Sequence, residues 1–364
     1  MKIVYLIHSL YSAGGMEMIL TSKANWLCNR PDIEIWIVTS HMAGRKLYFP
    51  LDSRIHLVDA NVNESVFGRI YRKRLQRILK SIEPDVTVSM CGRDLFQMLR
   101  CSDTGARIAE YHFLHDKFRL KYPRRPVYAR WRTKELNAAF AKCNALVVLS
   151  DYDLAFYRDI MPEPEKVHKI GNIVSSPLNS KSELNQKRFI CVGRLSPEKN
   201  FGDAIKIWKF VSGKQPDWRL DIYGEGRERR NLEKLIKSEG LSGIVSLKGS
   251  CSSIMDEYAR SSGLLVTSRY EGFGLIVVEA ASCGVPVVAY SCPGGLTELV
   301  KDGRDGFLVR EGDIEAAADR IIKLIENDNL RGEMGINAIE KAHDYYPESI
   351  MNQWLELFNS LKRI

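Results

Sequence analysis

The sequence lacks several patterns that would place it in a specialised class. Its eight cysteines form no C-x-x-C pair and no cluster with histidine, so in a cytoplasmic chain they indicate buried thiols rather than a zinc site. No apolar run reaches the length of a membrane span, and the N-terminal stretch MKIVYLIHSL lacks a signal-peptide cleavage pattern. No low-complexity tract is present. These absences predict a globular cytoplasmic protein.

Acidic residues are scarce only in the first half of the chain. Residues 1–175 hold 27 basic and 18 acidic residues, whereas residues 176–364 hold 26 and 27. The formal net charge of +8 therefore originates in the first half. A polyanionic partner is expected to meet that half.

Short β-branched runs alternate with amphipathic stretches along the whole chain, which predicts parallel, doubly wound α/β sheets. A polar stretch around Pro177 separates two such series and is interpreted as a linker. We predict an N-terminal domain over 1–175, a second domain over 176–345 and a C-terminal helix over 346–364 that packs on its own domain or returns to the first. Strands are predicted at KIVYLIHS, IEIWIVTS, RIHLVDA, DVTVSM, ARIAEY, ALVVLS, VHKIGNIV, RFICVGR, WRLDIYGEG, GIVSLKGS, GLLVTS, VPVVAYS and GFLVREG.

Several predicted strands are followed by loops with glycine or paired cations. Ligands bind at the carboxyl ends of parallel strands, so a site between the two sheets is expected there. Gly14 and Gly15 precede a predicted helix, where they allow close backbone approach or simply cap the helix. Arg194 and Lys199 share one loop and suit a diphosphate, although single surface cations are common. Gly224 belongs to a tight turn that we place at a nucleotide pocket.

The stretch SRYEGFGLIVVEAASCG carries two carboxylates around a glycine turn. Glu271 is predicted in the loop and Glu279 one to two turns into the helix that follows. The backbone amides of residues 272–275 form an anion site at that helix N-terminus. Because carboxylates repel phosphate, both are better suited to accepting hydrogen bonds from sugar hydroxyls. A ligand with ribose, diphosphate and hexose satisfies all these groups.

This stretch resembles the E-x7-E signature of retaining GT-B glycosyltransferases of family 4, also called group 1. GGMEMIL, VGRLSPEKN, YGEG, EGFGLIVVEAASCGVPVVA and GGLTELVKDGRDGFLV occur in that family's order and spacing, over nearly the whole chain. The resemblance implies a GT-B fold: two Rossmann-like doubly wound parallel-sheet domains facing a central cleft.

The resemblance also implies roles for individual residues. Glu279 would bind the nucleotide ribose and Glu271 the hydroxyls of the donor sugar. Arg194 and Lys199 would hold the diphosphate, with Gly15 close to it. His112, in AEYHF after the fifth strand, would lie beside the reacting centre, with His115 as the alternative. Backbone contacts to sugar and phosphate would come from Gly272, Phe273, Gly274 and Leu275.

The implied chemistry is hexose transfer with retention at the anomeric carbon, in which the leaving diphosphate accepts the acceptor's proton. Arg194 and Lys199 would take the place of a metal ion, so no cofactor and no metal site are expected. The D-x-D formed by Asp151 and Asp153 is interpreted as structural, with Ser150 or Asp151 capping a helix. A UDP-sugar is favoured over a GDP-sugar, with base contacts expected around residues 249–254.

Two basic stretches, 69–80 and 115–134, supply much of the positive charge. The first contains Ile70, Leu75, Ile78 and Leu79, which we expect to form an apolar side. The second interleaves aromatic residues, which suits an anionic membrane interface and also single-stranded nucleic acid. We predict a peripheral protein of the cytoplasmic membrane face that glycosylates a saccharide or polyprenyl-diphosphate-linked acceptor in bacterial surface polysaccharide assembly, with no nucleic-acid partner. The alternatives are a nucleotide-sugar epimerase or phosphorylase on the same fold, and a non-enzymatic RNA- or polyanion-binding protein.

Overall fold

A computed structural model describes residues 1–63, 67–174, 181–251 and 253–362 of the chain. The chain divides into two compact units, the first made of residues 1–173 and 347–364 and the second of residues 174–346. The predicted boundary at 175/176, Pro177 of the linker, and residue 252 of the predicted base-contact stretch lie outside the described residues.

The first unit is built on a seven-stranded parallel sheet with the order β3-β2-β1-β4-β5-β6-β7. Its central strands are buried on both sides because helices cover both faces of such a sheet; all four residues of β4 are buried. The strands are β1 Lys2–Ile7, β2 Glu34–Thr39, β3 His56–Asp59, β4 Val86–Ser89, β5 Ala106–Tyr111, β6 Ala145–Val148 and β7 Val167–Lys169.

The helices described between the strands of this unit are α1 Gly15–Leu27, α2 Gly68–Ile82, α3 Asp94–Met98, α4 Lys117–Lys121, α5 Pro126–Phe140 and α6 Asp151–Ile160. The basic helix α2 buries a stripe that includes Tyr71, Leu75 and Leu79 at four-residue spacing. Ile70, which we expected on the apolar side, is half exposed. That expectation was wrong because Ile70 is one position off the stripe that begins at Tyr71.

The second unit repeats the architecture with a six-stranded parallel sheet of order β10-β9-β8-β11-β12-β13. Its strands are β8 Arg188–Val192, β9 Arg219–Tyr223, β10 Val245–Gly249, β11 Gly263–Val266, β12 Val287–Ser291 and β13 Gly306–Arg310. Its helices are α7 Phe201–Lys214, α8 Arg229–Ser238, α9 Ile254–Ala259, α10 Leu275–Ser282, α11 Leu296–Leu299, α12 Ile314–Glu326 and α13 Asp328–Ala342. Short 3-10 turns occur at Pro164–Lys166 in the first unit and His343–Tyr345 in the second.

The last helix, α14 Pro347–Leu361, is part of the first unit, where it packs on α1. Its buried side includes Met351, Trp354 and Phe358. Among the described residues, no helix combines the length and the apolar character that crossing a bilayer requires.

Both sheets reverse strand order at one point, between β1 and β4 in the first unit and between β8 and β11 in the second. Connections on the two sides of such a point turn away to opposite faces and leave a crevice at the carboxyl ends of the strands. The loops after β8 and β11 therefore start side by side. The predicted α/β class with two doubly wound parallel sheets is confirmed.

Candidate functional site

Two predicted residues far apart in sequence meet at the reversal point of the second sheet. Lys199, in the loop after β8, places its Nζ atom 2.5 Å from Oε1 of Glu271, in the loop after β11. The hydroxyl of Ser268 donates to the same carboxylate oxygen at 2.6 Å. The two charged side chains are 19% and 11% exposed, so they form an ion pair that is mostly shielded from water but still reachable.

Backbone and hydroxyl contacts tie these two loops together. The hydroxyl of Thr267 donates to the carbonyls of Lys199 and Asn200, at 3.1 and 3.0 Å. The amide of Arg269 donates to the carbonyl of Glu198 at 2.9 Å. Because these bonds join the two loops beside the ion pair, they fix the separation of Lys199 and Glu271 before any ligand arrives.

The glycine turn between Glu271 and α10 is tightly packed. Gly274 has φ +96° and directly precedes the first residue of the helix, so the chain enters α10 through a left-handed conformation that favours glycine. The loop after β12 covers it: a Cβ on Gly295 would lie 2.7 Å from the carbonyl oxygen of Phe273. The amide of Glu271 donates to the Pro293 carbonyl at 3.1 Å, which anchors the residue's backbone.

The loops after β8 and β9 also touch. Gly224 has φ +134°, and a Cβ there would lie 1.9 Å from the carbonyl oxygen of Gly193 and 3.7 Å from the amide nitrogen of Arg194. Glycine is therefore required at 224 for packing, whether or not a nucleotide binds. The side chain of Arg194 is exposed beside this turn.

Glu279 lies at the fifth position of α10 and is buried, with only 8% exposed. Its Oε2 atom accepts a hydrogen bond from the hydroxyl of Tyr258 on α9 at 3.2 Å. Burial raises the pKa of Glu279 to about 7, and the bond from Tyr258 opposes that rise only in part. A buried carboxyl group with one neutral partner and a pKa near neutrality is typical of a functional site.

In the first unit, the predicted residues lie after β1 and β5. Gly14 is the N-cap of α1, and a Cβ there would collide with the carboxylate of Glu17, whereas a Cβ on Gly15 would meet nothing within 4 Å. Because the end of the flexible Glu17 side chain can move aside, internal packing does not require glycine at either position. His112 directly follows β5, and its Nε2 atom lies 3.1 Å from Oε1 of Glu110.

The alternative histidine, His115, is held by structural contacts. Its Nδ1 atom and its backbone amide each lie 2.8 Å from Oδ1 of Asp153. Its ring stacks on Phe156 with centroids 3.8 Å apart. Ser150 caps α6 by accepting from the amide of Asp153, as expected for a structural D-x-D. The surroundings of His115 therefore favour His112 as the functional histidine.

Sequence reasoning missed the partners that complete these groups. Ser268 lies three residues before Glu271, and its hydroxyl was a signal within the same loop. Tyr258, 21 residues before Glu279, gave no signal that spacing could reveal, because its contact depends on packing between two helices. Glu110 lies two residues before His112 in AEYHF, and the alternation of side chains along a strand was the signal for that contact.

Within the described ranges, no group of three or more His, Cys, Asp or Glu side chains could hold a metal ion. All eight cysteines are free thiols, and six of them are buried.

Comparisons with known proteins agree with this arrangement. The family model described as glycosyl transferases group 1 matches residues 177–341. The match covers nearly the whole of the second unit. The chain is 27% identical to the amylovoran biosynthesis glycosyltransferase AmsD of Erwinia amylovora, over 98% of this chain and 99% of that protein. It is 26% identical to an α-1,4-N-acetyl-D-galactosaminyltransferase of Campylobacter jejuni, named for a diNAcBac-PP-undecaprenol-linked substrate, over 100% and 99%.

The fold has close structural counterparts. Alr3699/HepE of Anabaena, solved with UDP and glucose, superposes with a TM-score of 0.78 at 20% identity, over 99% of this chain and 100% of that one. The predicted resemblance to GT-B glycosyltransferases of group 1 is confirmed, and the chain is a glycosyltransferase. The roles of the individual site residues stay predictions.

Proposed function

We propose that the protein is a retaining, metal-independent hexosyltransferase that uses a nucleoside-diphosphate sugar, with a UDP-sugar favoured. The observation that carries the proposal is the Lys199–Glu271 pair at the reversal point of the second sheet, directly before the glycine turn into α10. A cation beside a helix N-terminus suits a diphosphate, and the adjoining carboxylate suits sugar hydroxyls.

In this proposal the nucleotide sugar contacts both members of the ion pair. Lys199 and Arg194 donate hydrogen bonds to the diphosphate, and Glu271 accepts hydrogen bonds from the sugar hydroxyls. Glu279 accepts from the ribose. Because Ser268 and the backbone keep Glu271 in place, the carboxylate does not need to reorganise when the cation is shared.

The residues then act on the leaving group rather than as a covalent nucleophile. Lys199, Arg194 and the amides of residues 272–275 stabilise the negative charge that develops on the diphosphate as the glycosidic bond breaks. The diphosphate takes the acceptor's proton while the acceptor oxygen attacks from the same face. His112 contacts the donor sugar beside the reacting carbon.

A thermal melt with UDP, GDP, ADP and NAD in turn, with EDTA throughout, tests the donor class. A ligand that binds only the native state raises the midpoint. A rise with one nucleoside diphosphate, but not with NAD, is expected, and the anomeric configuration of the product by NMR then reports retention. No rise with any nucleotide, or an inverted product, would contradict the proposal.

For the acceptor, we infer a lipid-linked saccharide in bacterial surface polysaccharide assembly. Support comes from the names of two relatives of almost full length, which refer to amylovoran biosynthesis and to a PP-undecaprenol-linked saccharide. An extract of polyprenyl-diphosphate-linked sugars should serve as acceptor, whereas free monosaccharides should not. Epimerase activity without any acceptor would favour the alternative reading.

We further infer that the basic stretch 115–134 contacts an anionic membrane surface at the cytoplasmic face. At the start of α5, Val127, Tyr128 and Trp131 are 82%, 41% and 55% exposed. Arg124, Arg125 and Arg130, which neighbour them in the sequence, are exposed as well. Apolar side chains that water would otherwise cover, set among cations, are complementary to an anionic bilayer.

Co-sedimentation with vesicles tests this inference. Binding should require anionic lipid and should weaken in Trp131→Ser, while Ile336→Ser, which removes an exposed apolar side chain from the second unit, should bind normally. Binding that ignores lipid charge would contradict the inference. Salt-sensitive binding of single-stranded RNA without vesicle binding would favour the nucleic-acid alternative.

A further inference from the structure

A buried ion pair lies beneath the first unit's predicted site. Lys23 of α1 places its Nζ atom 2.6 Å from Oε2 of Glu110, near the end of β5, and the two side chains are 1% and 2% exposed. Burial lowers the pKa of Lys23, although its carboxylate partner acts in the opposite direction. Burial would raise the pKa of Glu110, but Lys23 and His112 lower it to about 2. Glu110 is therefore ionised across the physiological range.

The second oxygen of this carboxylate faces a histidine. Glu110 and His112 are two positions apart at the end of β5, and side chains alternate along a strand, so both lie on one side. The Nε2 atom of His112 lies 3.1 Å from Oε1 of Glu110, within ion-pair distance but without the alignment of a hydrogen bond. This arrangement leaves Nδ1 as the ring nitrogen that Glu110 does not occupy.

Helix α14 covers the cation from the other side. The Trp354 ring centre lies 3.5 Å from Nζ of Lys23, and the Tyr5 ring centre of β1 lies 5.4 Å from it. A buried ion pair contributes little net stability, because apolar residues of similar volume usually pack as well or better. Lys23 and Glu110 therefore need an explanation other than stability, and the contact with His112 supplies one.

We propose that Glu110, held by Lys23, is a positioning residue that fixes the orientation of the His112 imidazole. This inference rests on the proposed function, in which His112 contacts the donor sugar. Glu110 and Lys23 do not touch substrate themselves. The C-terminal helix contributes by covering the pair with Trp354.

The test compares steady-state kinetics of variants that keep the volume of the pair. Glu110→Gln alone leaves Lys23 unpaired and can impair folding, so Lys23→Met/Glu110→Gln, which removes both charges, is measured beside it. We expect kcat to fall about 10- to 100-fold, the scale of residues that orient a functional group. KM for the nucleotide sugar should change less than kcat, because its proposed side-chain ligands other than His112 lie on the second unit.

A double-mutant cycle with His112→Ala separates positioning from structure. If Glu110 acts through His112, removing the pair in the His112→Ala background should cause no further loss of kcat. Asp153→Asn is the matched control, because it removes the carboxylate that holds His115 in the same unit. It should lower the melting midpoint and leave kcat of the folded enzyme unchanged.

Three outcomes would overturn the inference. If His112→Ala keeps full activity, the proposed role of His112 fails and the positioning role fails with it. If His112→Ala is impaired but the pair variant lowers kcat further by the same factor, only the positioning role fails. If Asp153→Asn loses as much kcat as the pair variant, the loss reflects the stability of the unit.

Discussion

Replacing Glu279 by glutamine should stabilise the free enzyme while weakening its binding of the nucleotide. The side chain is buried, its one hydrogen bond comes from Tyr258, and burial raises its pKa from 4.5 to about 7. The ionised form is thus disfavoured in the folded state. Glutamine keeps an oxygen that can accept from Tyr258 but never carries the charge.

The size of the effect follows from the pKa. Between pH 4.5 and about 7 the folded protein holds a proton that the unfolded chain has released, so the free energy of unfolding falls as pH rises. At 1.36 kcal/mol per pKa unit, the cost reaches about 3 kcal/mol above pH 7. Glu279→Gln lacks this cost, so its advantage should be near zero at pH 4.5 and about 3 kcal/mol at pH 8.

Urea unfolding of both proteins at pH 4.5 and pH 8 measures this difference, and effects of other titrating groups cancel between the two variants. An advantage of Glu279→Gln that is equal at both pH values, or that shrinks at pH 8, would refute the reasoning. Calorimetric titration at pH 7 in buffers of different ionisation enthalpy adds a second check. If the ribose hydroxyls need the carboxylate, nucleotide binding at pH 7 should release about half a proton per site in the wild type and none in the variant.

Three further predictions concern the loops and one cap. Glu271→Ala should lower kcat much more than nucleotide affinity, whereas Lys199→Ala should lower both. Turnover and titration with the nucleotide measure these effects. Equal losses of fold stability in the two variants would contradict the proposed roles. Gly224→Ala should lower the free energy of unfolding by about 2 kcal/mol or more, because residue 224 has positive φ and its Cβ would meet the Gly193 carbonyl. Gly213→Ala is the control: open space surrounds that position, so the melting midpoint should not fall. Ser150→Ala should lower the free energy of unfolding in urea by about 1 kcal/mol. An unchanged free energy would contradict the capping role of Ser150.

The strands were predictable because their signal is local. Runs such as DVTVSM and GLLVTS contain consecutive buried residues. Consecutive burial is expected of strands in a sheet that is covered on both faces. Helix α2 coincides with one of the amphipathic stretches and occupies Gly68–Ile82. The course of each element therefore follows from hydrophobic patterns of a few residues. Ile70 was wrongly assigned to the apolar side because it lies near the end of the helix, where the sequence does not determine which residues face the core.

The site could be predicted only as separate loops. Glu271 has no basic neighbour in its own stretch after Arg269, and its partner Lys199 is 72 residues away. The two meet because β8 lies beside β11 in the sheet, and strand order is not contained in any local pattern. Resemblance to a family gave these residues their roles without giving the contact between them.

The Lys23–Glu110 pair shows the same limit in a stronger form. Its members are 87 residues apart, and a lysine at the middle of an amphipathic helix ordinarily indicates a solvent-facing position. Here α14, which is more than 300 residues further along the chain, brings Trp354 over the ammonium group and makes the position internal. An ammonium group in the interior needs a compensating charge, and Glu110 provides it at 2.6 Å. The charge beside His112 is thus a consequence of where the last helix packs.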